Sequence, residues 1–202
     1  MLIERYAIAE EIPSAPSTRD ESAGLVHRIA AGERSALAQL YAKHGPGLLR
    51  YLSQLTSDHE LAEEILQDSL LAIWRGAAAF EGRSSARTWF FGIARRRARD
   101  TLRKRARSLD SLSRDSLQDA EPPSLDPDPA EAALDRVELA ELATAIQRLA
   151  PIHREVLVLA FAEGFTGPEI AAVLDVPEGT VKSRLSNARA GLRSLLRTGE
   201  ET

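Results

Sequence analysis

Residues 108–134 decide how this chain can fold. Within them stand Pro122, Pro123, Pro127 and Pro129, seven acids, five serines and no aromatic side chain. Too little apolar surface is present to offset the entropy of ordering the backbone, and the like charges repel one another. The stretch reads as an acidic, flexible linker that spans about 30 Å as a relaxed coil. Whatever folds must therefore do so on either side of it, as two small domains at 21–107 and 135–199. A second flexible piece is expected at 1–20, where Pro13 and Pro16 sit among small polar residues.

Both flanks read as helical. No convincing period-2 alternation of apolar residues occurs, and apolar positions recur at helical spacing. Helices are expected over 22–31, 35–55, 58–75 and 85–107, with Gly45-Pro46-Gly47 kinking or breaking the second. Beyond the linker they are expected over 135–149, 152–163, 167–174 and 178–197. The fold class that follows is all-α, two helical domains joined by the linker.

Charge is unevenly placed. The net charge of −4 over 202 residues resolves into +4 for 1–107, −6 for 108–134 and −2 for the remainder. An acidic total thus leaves room for a basic surface. The chain has no cysteine, which excludes disulfides, thiolate nucleophiles and thiolate metal sites. His27, His44, His59 and His153 are scattered without metal-ligand spacing, and surface or capping roles are expected of them. No convergent acid, base or nucleophile marks an enzyme, so neither a catalytic residue nor a cofactor nor a metal is expected. The N-terminal run has no long apolar stretch, which points to a cytoplasmic protein without membrane insertion.

The expected helix over 58–75 has a face that folding alone does not require. Ala62, Ile65, Leu66, Ser69 and Ile73 form its inward stripe, and Glu60, Glu63, Glu64, Gln67 and Asp68 lie opposite. Leu71 projects from the middle of that acidic face and Trp74 stands at its border. A protein contact with a basic partner accounts for the pair. An ordinary exposed leucine and a core tryptophan account for it equally.

The next helix is more distinctive. Between Arg95 and Arg107 lie eight basic residues and one acid, Asp100. Arg95, Arg96, Arg99, Arg103 and Arg107 gather opposite Phe90, Phe91, Ile93, Ala94, Ala98 and Leu102, with Thr88 and Trp89 alongside. Such a helix repels itself unless an anion neutralises it, and phosphate oxygens do so through charge-assisted bonds. The preceding loop, Phe80-Glu81-Gly82-Arg83-Ser84-Ser85-Ala86, brings aromatic, small polar and arginine groups together. An unstacked base needs that combination.

In the second domain, Thr166 followed by Glu169 forms a capping box, Asp175-Val176-Pro177 makes a turn, and Gly179-Thr180 opens another helix. Val181, Leu185, Ala188, Leu192 and Leu195 are its buried stripe. The other face carries Lys182, Ser183, Ser186, Asn187, Ala190 and Arg193. A small, polar, basic face fits a major groove, where Lys182 or Arg184 reads guanine, Asn187 reads adenine, and Arg189 and Arg193 hold phosphates.

In this order the stretches resemble the extracytoplasmic-function (ECF) sigma factors, the two-domain form of the bacterial sigma-70 family. The resemblance rests on Leu61-Ala62-Glu63-Glu64-Ile65-Leu66-Gln67-Asp68 through Trp74, on Thr88-Trp89-Phe90 and on Ile93-Ala94-Arg95. Further on it rests on Leu149-Ala150-Pro151-Ile152-His153-Arg154-Glu155-Val156, Glu169-Ile170-Ala171, and Val176-Pro177-Glu178-Gly179-Thr180-Val181-Lys182-Ser183-Arg184-Leu185. It implies that Glu64, Gln67, Asp68, Leu71 and Trp74 meet the β′ clamp helices of core RNA polymerase. It implies that Phe80, Arg83, Ser84, Thr88, Trp89, Arg95, Arg96, Arg99 and Arg103 capture the promoter −10 element and take a base out of the stack. It implies that Thr180, Lys182, Ser183, Arg184, Ser186, Asn187, Arg189 and Arg193 read the −35 element in duplex DNA while the second domain rests on the β flap. An anti-sigma factor is a further partner it implies.

Three positions depart from the family's pattern. Arg96 stands where asparagine is frequent, Asp175 where glycine is usual, and Asn187 where a basic residue is common. Two other classes fit parts of the chain: a free-standing helix-turn-helix regulator, and a helical scaffold that binds no nucleic acid. A DNA reader loses affinity steeply as salt rises, whereas a scaffold need not.

Overall fold

A computed structural model describes residues 21–112 and 141–199, all helix, turn and loop with no strand among them. The expected tail at 1–20, the linker beyond 112 and the start of the second domain at 135–140 lie outside the described residues. Those described fall into two compact units, the first built on α1–α4 and the second on α5, α6 and α8. Each is taken by itself.

In the first unit α1 spans Glu21–Ala30, α2 Arg34–Thr56, α3 His59–Gly76 and α4 Ala86–Leu112, with a 3₁₀ turn at Ala77–Ala79. The apolar stripes converge on one core of Val26, Ile29, Ala36, Leu40, Ile73, Ala77, Ala86, Phe90 and Ile93. Burying an aromatic such as Phe90 or Phe91 contributes roughly 1.5–3 kcal/mol. Tyr51 and Phe91 add a tilted aromatic pair with centroids 5.4 Å apart. Asp58 caps α3 by accepting from the Leu61 amide at 2.9 Å, and its other oxygen accepts from Arg105 of α4 at 3.3 Å. One carboxylate therefore starts α3 and fastens it to α4.

Three expectations need correcting here. Helix α2 runs unbroken through Pro46. Proline deprives the Ala42 carbonyl of its helical donor, and Ala42 is exposed, which leaves that end of the turn open to solvent. Helix α4 continues past 107 to Leu112, because residues 108–112 hold neither proline nor glycine. His44 is buried and not a surface residue: its Nε2 lies 2.8 Å from the Ser22 hydroxyl, and its ring is 5.6 Å from that of Phe90. The contact ties α1 to α2.

In the second unit α5 covers 141–148, α6 spans Pro151–Leu157, and α8 spans Glu178–Gly199. Arg154 closes the α5–α6 corner by donating to the backbone carbonyl of Gln147 at 3.3 Å and to its side chain. The expected helix over 152–163 is α-helical only to Leu157. A π turn at Val158–Ala162 follows, with Glu163 donating to the Val158 carbonyl at 3.0 Å. The buried run that begins at Glu155 continues through Val158, Leu159 and Ala160, and Phe161 is half-buried. On α8, Val181, Leu185, Ala188 and Leu192 are buried, and Gly191 permits a close approach: a Cβ there would sit 3.0 Å from Leu149.

Helix α7, Gly167–Leu174, and the turn into α8 follow the sequence closely. Glu169 accepts from the Thr166 amide at 2.9 Å and from its hydroxyl at 2.8 Å. Asp175 takes the left-handed conformation, with φ 52°, at the position where glycine is the usual residue. A short polar side chain tolerates that region better than most.

Candidate nucleic-acid interface

Helix α3 presents Glu60, Glu63, Glu64, Gln67 and Asp68 to solvent, with Leu71 among them at 51% relative exposure. The stripe opposite is buried, and the buried Ser69 hydroxyl is satisfied by the Ile65 carbonyl at 2.6 Å. A large apolar side chain held out among acids is the surface expected above. Trp74 differs from Leu71: it is half-buried and packs against the core, so any contact it makes is through its rim.

On α4 the cations divide into two groups. Arg96, Arg99, Arg103 and Arg107 are exposed and lie within one quadrant of the helix. Arg95 differs from them in being only 8% exposed. Its guanidinium donates to the Leu174 carbonyl at 3.0 Å. Thr88 is also buried, and its hydroxyl lies 2.8 Å from that of Ser85. Ser85 in turn accepts from the Thr88 amide at 3.1 Å, so the pair caps α4. Arg105 faces α3 instead, reaching Glu64 at 4.0 Å in addition to Asp58.

Ahead of α4, Phe80 and Trp89 pair with centroids 5.1 Å apart, both half-buried against the core. Gly82 has φ 68° and turns the loop back. Beside it lies a cleft of about 560 Å³ lined by Ala23, His27, Phe80, Glu81, Gly82, Arg83, Ser84 and Ser85. Arg83 is exposed and pairs with Glu81 at 3.0 Å. A second recess of about 230 Å³, lined by Asp68, Arg97, Asp100, Thr101, Arg103, Lys104 and Arg107, joins the acidic face of α3 to the basic helix. Sequence reasoning missed the α1 wall of the cleft, since no local signal brings His27 to a loop more than fifty residues away.

On α8, Lys182, Ser183, Ser186, Asn187 and Arg193 are exposed, and Thr180 and Arg184 are half-buried. The Ser183 hydroxyl donates to the Thr180 carbonyl at 3.0 Å. Arg189 stands apart. Its guanidinium lies 5.5 Å from the Phe161 ring centroid, and its Nε and one terminal nitrogen are buried without a hydrogen-bond partner. The ring face partly compensates that cation. Among the described residues no group of acids and histidines could hold a metal ion, and no helix is long and apolar enough to cross a membrane.

Comparison with known proteins matches these surfaces to one family. Residues 40–108 match sigma-70 region 2, and residues 139–192 match sigma-70, region 4. The ECF RNA polymerase sigma factor SigL of Mycobacterium tuberculosis is 34% identical over 172 residues, covering 85% of this chain and 94% of its own. The RNA polymerase sigma factor CarQ of Myxococcus xanthus is 33% identical over 172 residues, covering 85% and 95%. Among solved structures, the sigma factor RpoE in complex with the anti-sigma factor NepR from Bartonella quintana aligns with a TM-score of 0.64 at 31% identity, over 79% of this chain and 96% of that one. CnrH in complex with the cytosolic domain of CnrY aligns with a TM-score of 0.63 at 28% identity, over 88% and 97%.

Proposed function

This chain belongs to the ECF RNA polymerase sigma factors of the sigma-70 family, and from that premise we propose how its surfaces divide the work of promoter recognition and transcription initiation. The acidic face of α3, with Glu64, Gln67, Asp68 and Leu71 at its centre and the rim of Trp74 at its edge, docks on the clamp helices of the polymerase β′ subunit. The exposed arginines Arg96, Arg99 and Arg103 hold the backbone of the −10 element. Phe80, Arg83, Ser84 and Trp89 receive a base extruded from it. Thr88 shapes that surface from beneath.

Helix α8 lies in the major groove of the −35 element, with Lys182, Arg184 and Asn187 at base edges and Arg193 on phosphate, while its unit rests on the β flap. Ser183, Ser186 and Thr180 lie close enough to its exposed face to meet the sugar-phosphate backbone. Arg189 braces Phe161 and turns to phosphate only if that ring is released. Polymerase supplies the bond-forming chemistry, and this subunit supplies sequence discrimination and strand separation in the cytoplasm. An anti-sigma protein, the kind of partner bound to RpoE and CnrH in the structures above, would act by covering these same faces.

One observation carries the reading: an acid-ringed leucine on α3 and an exposed arginine quadrant on α4 stand on adjacent helices of a single unit. The test is transcription in vitro with core polymerase and a pool of genomic promoter fragments, followed by sequencing of transcript starts. Discrete starts sharing two upstream motifs are expected. No starts, together with salt-sensitive DNA binding by the chain alone, would replace this reading with a free-standing helix-turn-helix regulator.

A further inference from the structure

We propose that the recess between α3 and α4 extends the polymerase docking surface onto α4, where Arg97 and Lys104 receive acidic side chains of the β′ clamp helices. The inference rests on the docking reading of α3 above. It turns the expected partner from a basic helix into one that carries both signs.

Helix geometry divides the cations of α4 into two strips. At 100° per residue, Arg97 and Lys104 share one azimuth to within about 20°, and both lie roughly 140–160° around the helix from Arg99 of the exposed quadrant. Both are exposed, and Thr101 between them is half-buried. This strip therefore faces away from Arg99, toward α3. Asp68 of α3 joins Arg97, Thr101 and Lys104 in lining the recess of about 230 Å³. Asp58 and Glu64 of α3 lie 3.3 and 4.0 Å from Arg105, and Asp68 stands one turn beyond Glu64. The acidic face of α3 and the second basic strip of α4 thus adjoin.

The charges of the recess do not cancel. Its lining also includes Asp100, Arg103 and Arg107, so four cations stand against two carboxylates. Arg103 lies 4.0 Å from Asp100, which leaves Asp68 as the lining carboxylate on the side of Arg97 and Lys104. Such an excess attracts an anion, and the neighbouring groups decide which kind. Nucleic acid presents phosphates in an unbroken row, and a backbone seated here would press some of them against Asp68 and Glu64. A protein helix can place basic and acidic side chains three or four residues apart, and so match the alternation. Its bases meet Glu64 and Asp68, an apolar side chain meets Leu71, and its acids meet Arg97 and Lys104. Paired strips of opposite sign also fix the register of the docked helix, which a uniformly acidic face leaves open.

The experiment uses the full chain and reads its affinity for core polymerase, the affinity of the assembled holoenzyme for single-stranded −10 DNA, and the circular dichroism of the free chain. Arg97→Glu combined with Lys104→Glu is expected to lower polymerase affinity about tenfold and to leave the other two readings unchanged. Alanine at both positions lowers polymerase affinity about threefold, which keeps the proposal testable if the double reversal fails to fold. Replacing clamp-helix acids with lysine, one at a time, is expected to restore most of the loss at one position. Reduced single-strand affinity with normal polymerase affinity would assign the strip to DNA and overturn the proposal. Unchanged affinity for both partners, or a loss that no clamp-helix reversal restores, would overturn it as well. Leu71→Asp, measured alongside, separates the two readings. If it lowers polymerase affinity while the α4 variants do not, the recess alone fails; if neither does, the docking reading of α3 falls with it.

Discussion

The two surfaces assigned to DNA are built on opposite principles. Helix α4 crowds Arg96, Arg99, Arg103 and Arg107 into one exposed quadrant beside an aromatic-walled cleft. Helix α8 spreads Lys182, Ser183, Ser186, Asn187 and Arg193 over a face of small side chains. A melted strand is flexible and its bases are accessible, so charge and stacking suffice to hold it. A duplex hides its pairing edges and presents a groove that admits a helix only if the helix is slim and its polar groups are placed. The difference suits the first unit to strand capture and the second to groove reading, the division proposed above.

The largest effect is expected at the arginine quadrant. Replacing Arg96, Arg99 and Arg103 together with alanine lowers affinity for single-stranded −10 DNA by roughly a hundredfold and flattens the log–log salt slope by about 2. Fluorescence anisotropy of the holoenzyme across a salt series reads both quantities. An unchanged slope would remove these side chains from the phosphate backbone.

Leu71→Asp comes next, and it separates the two faces of the first unit. Core polymerase affinity falls about tenfold or more, as for a buried apolar anchor. The circular dichroism and melting temperature of the isolated chain stay the same, because Leu71 is already half exposed. Normal polymerase affinity would return it to the ordinary surface.

On α8, Lys182→Ala costs about tenfold in discrimination at one upstream base pair and leaves single-strand binding intact. Transcription from a −35 mutant library checks this. Smaller still is the turn before α8. Asp175→Val, which forces a β-branched residue into a left-handed position, destabilises that region by about 1–2 kcal/mol, whereas Asp175→Gly does not destabilise it. Chemical denaturation of the chain distinguishes the two.

The smallest effect lies away from both surfaces. Hydrogen bonds from Arg28, and then from Ser35, draw the Glu33 carboxyl down from 4.5 to about 2. Its folded-state value is depressed, so the stabilisation is present above pH 4.5 and disappears as pH falls toward 2. Thermal melts over that window show a slope that Arg28→Ala reduces and that salt screens, since the pair lies at the surface.

Much of this was legible in sequence for a stated reason. Helical periodicity fixes which side of α3 is buried, and Asp175, standing where the resembled family has glycine, takes the left-handed backbone that glycine position implies. What escaped prediction depended on surroundings that periodicity does not encode. Pro46 was read as a kink or a break, and the helix assignment continues through it. The π turn at Val158–Ala162 and the buried His44 are answers to packing. His27 reaches the cleft only through the tertiary fold of α1 against the loop.

The division of labour has one direct test: open-complex formation on a promoter with a preformed bubble across the −10 element, compared with the fully paired promoter. If α4 promotes melting as well as holding the strand, the Arg96, Arg99 and Arg103 variant recovers most of its loss on the bubble, while Lys182→Ala is as impaired on the bubble as on the duplex. Equal rescue of both variants, or of neither, would contradict the account.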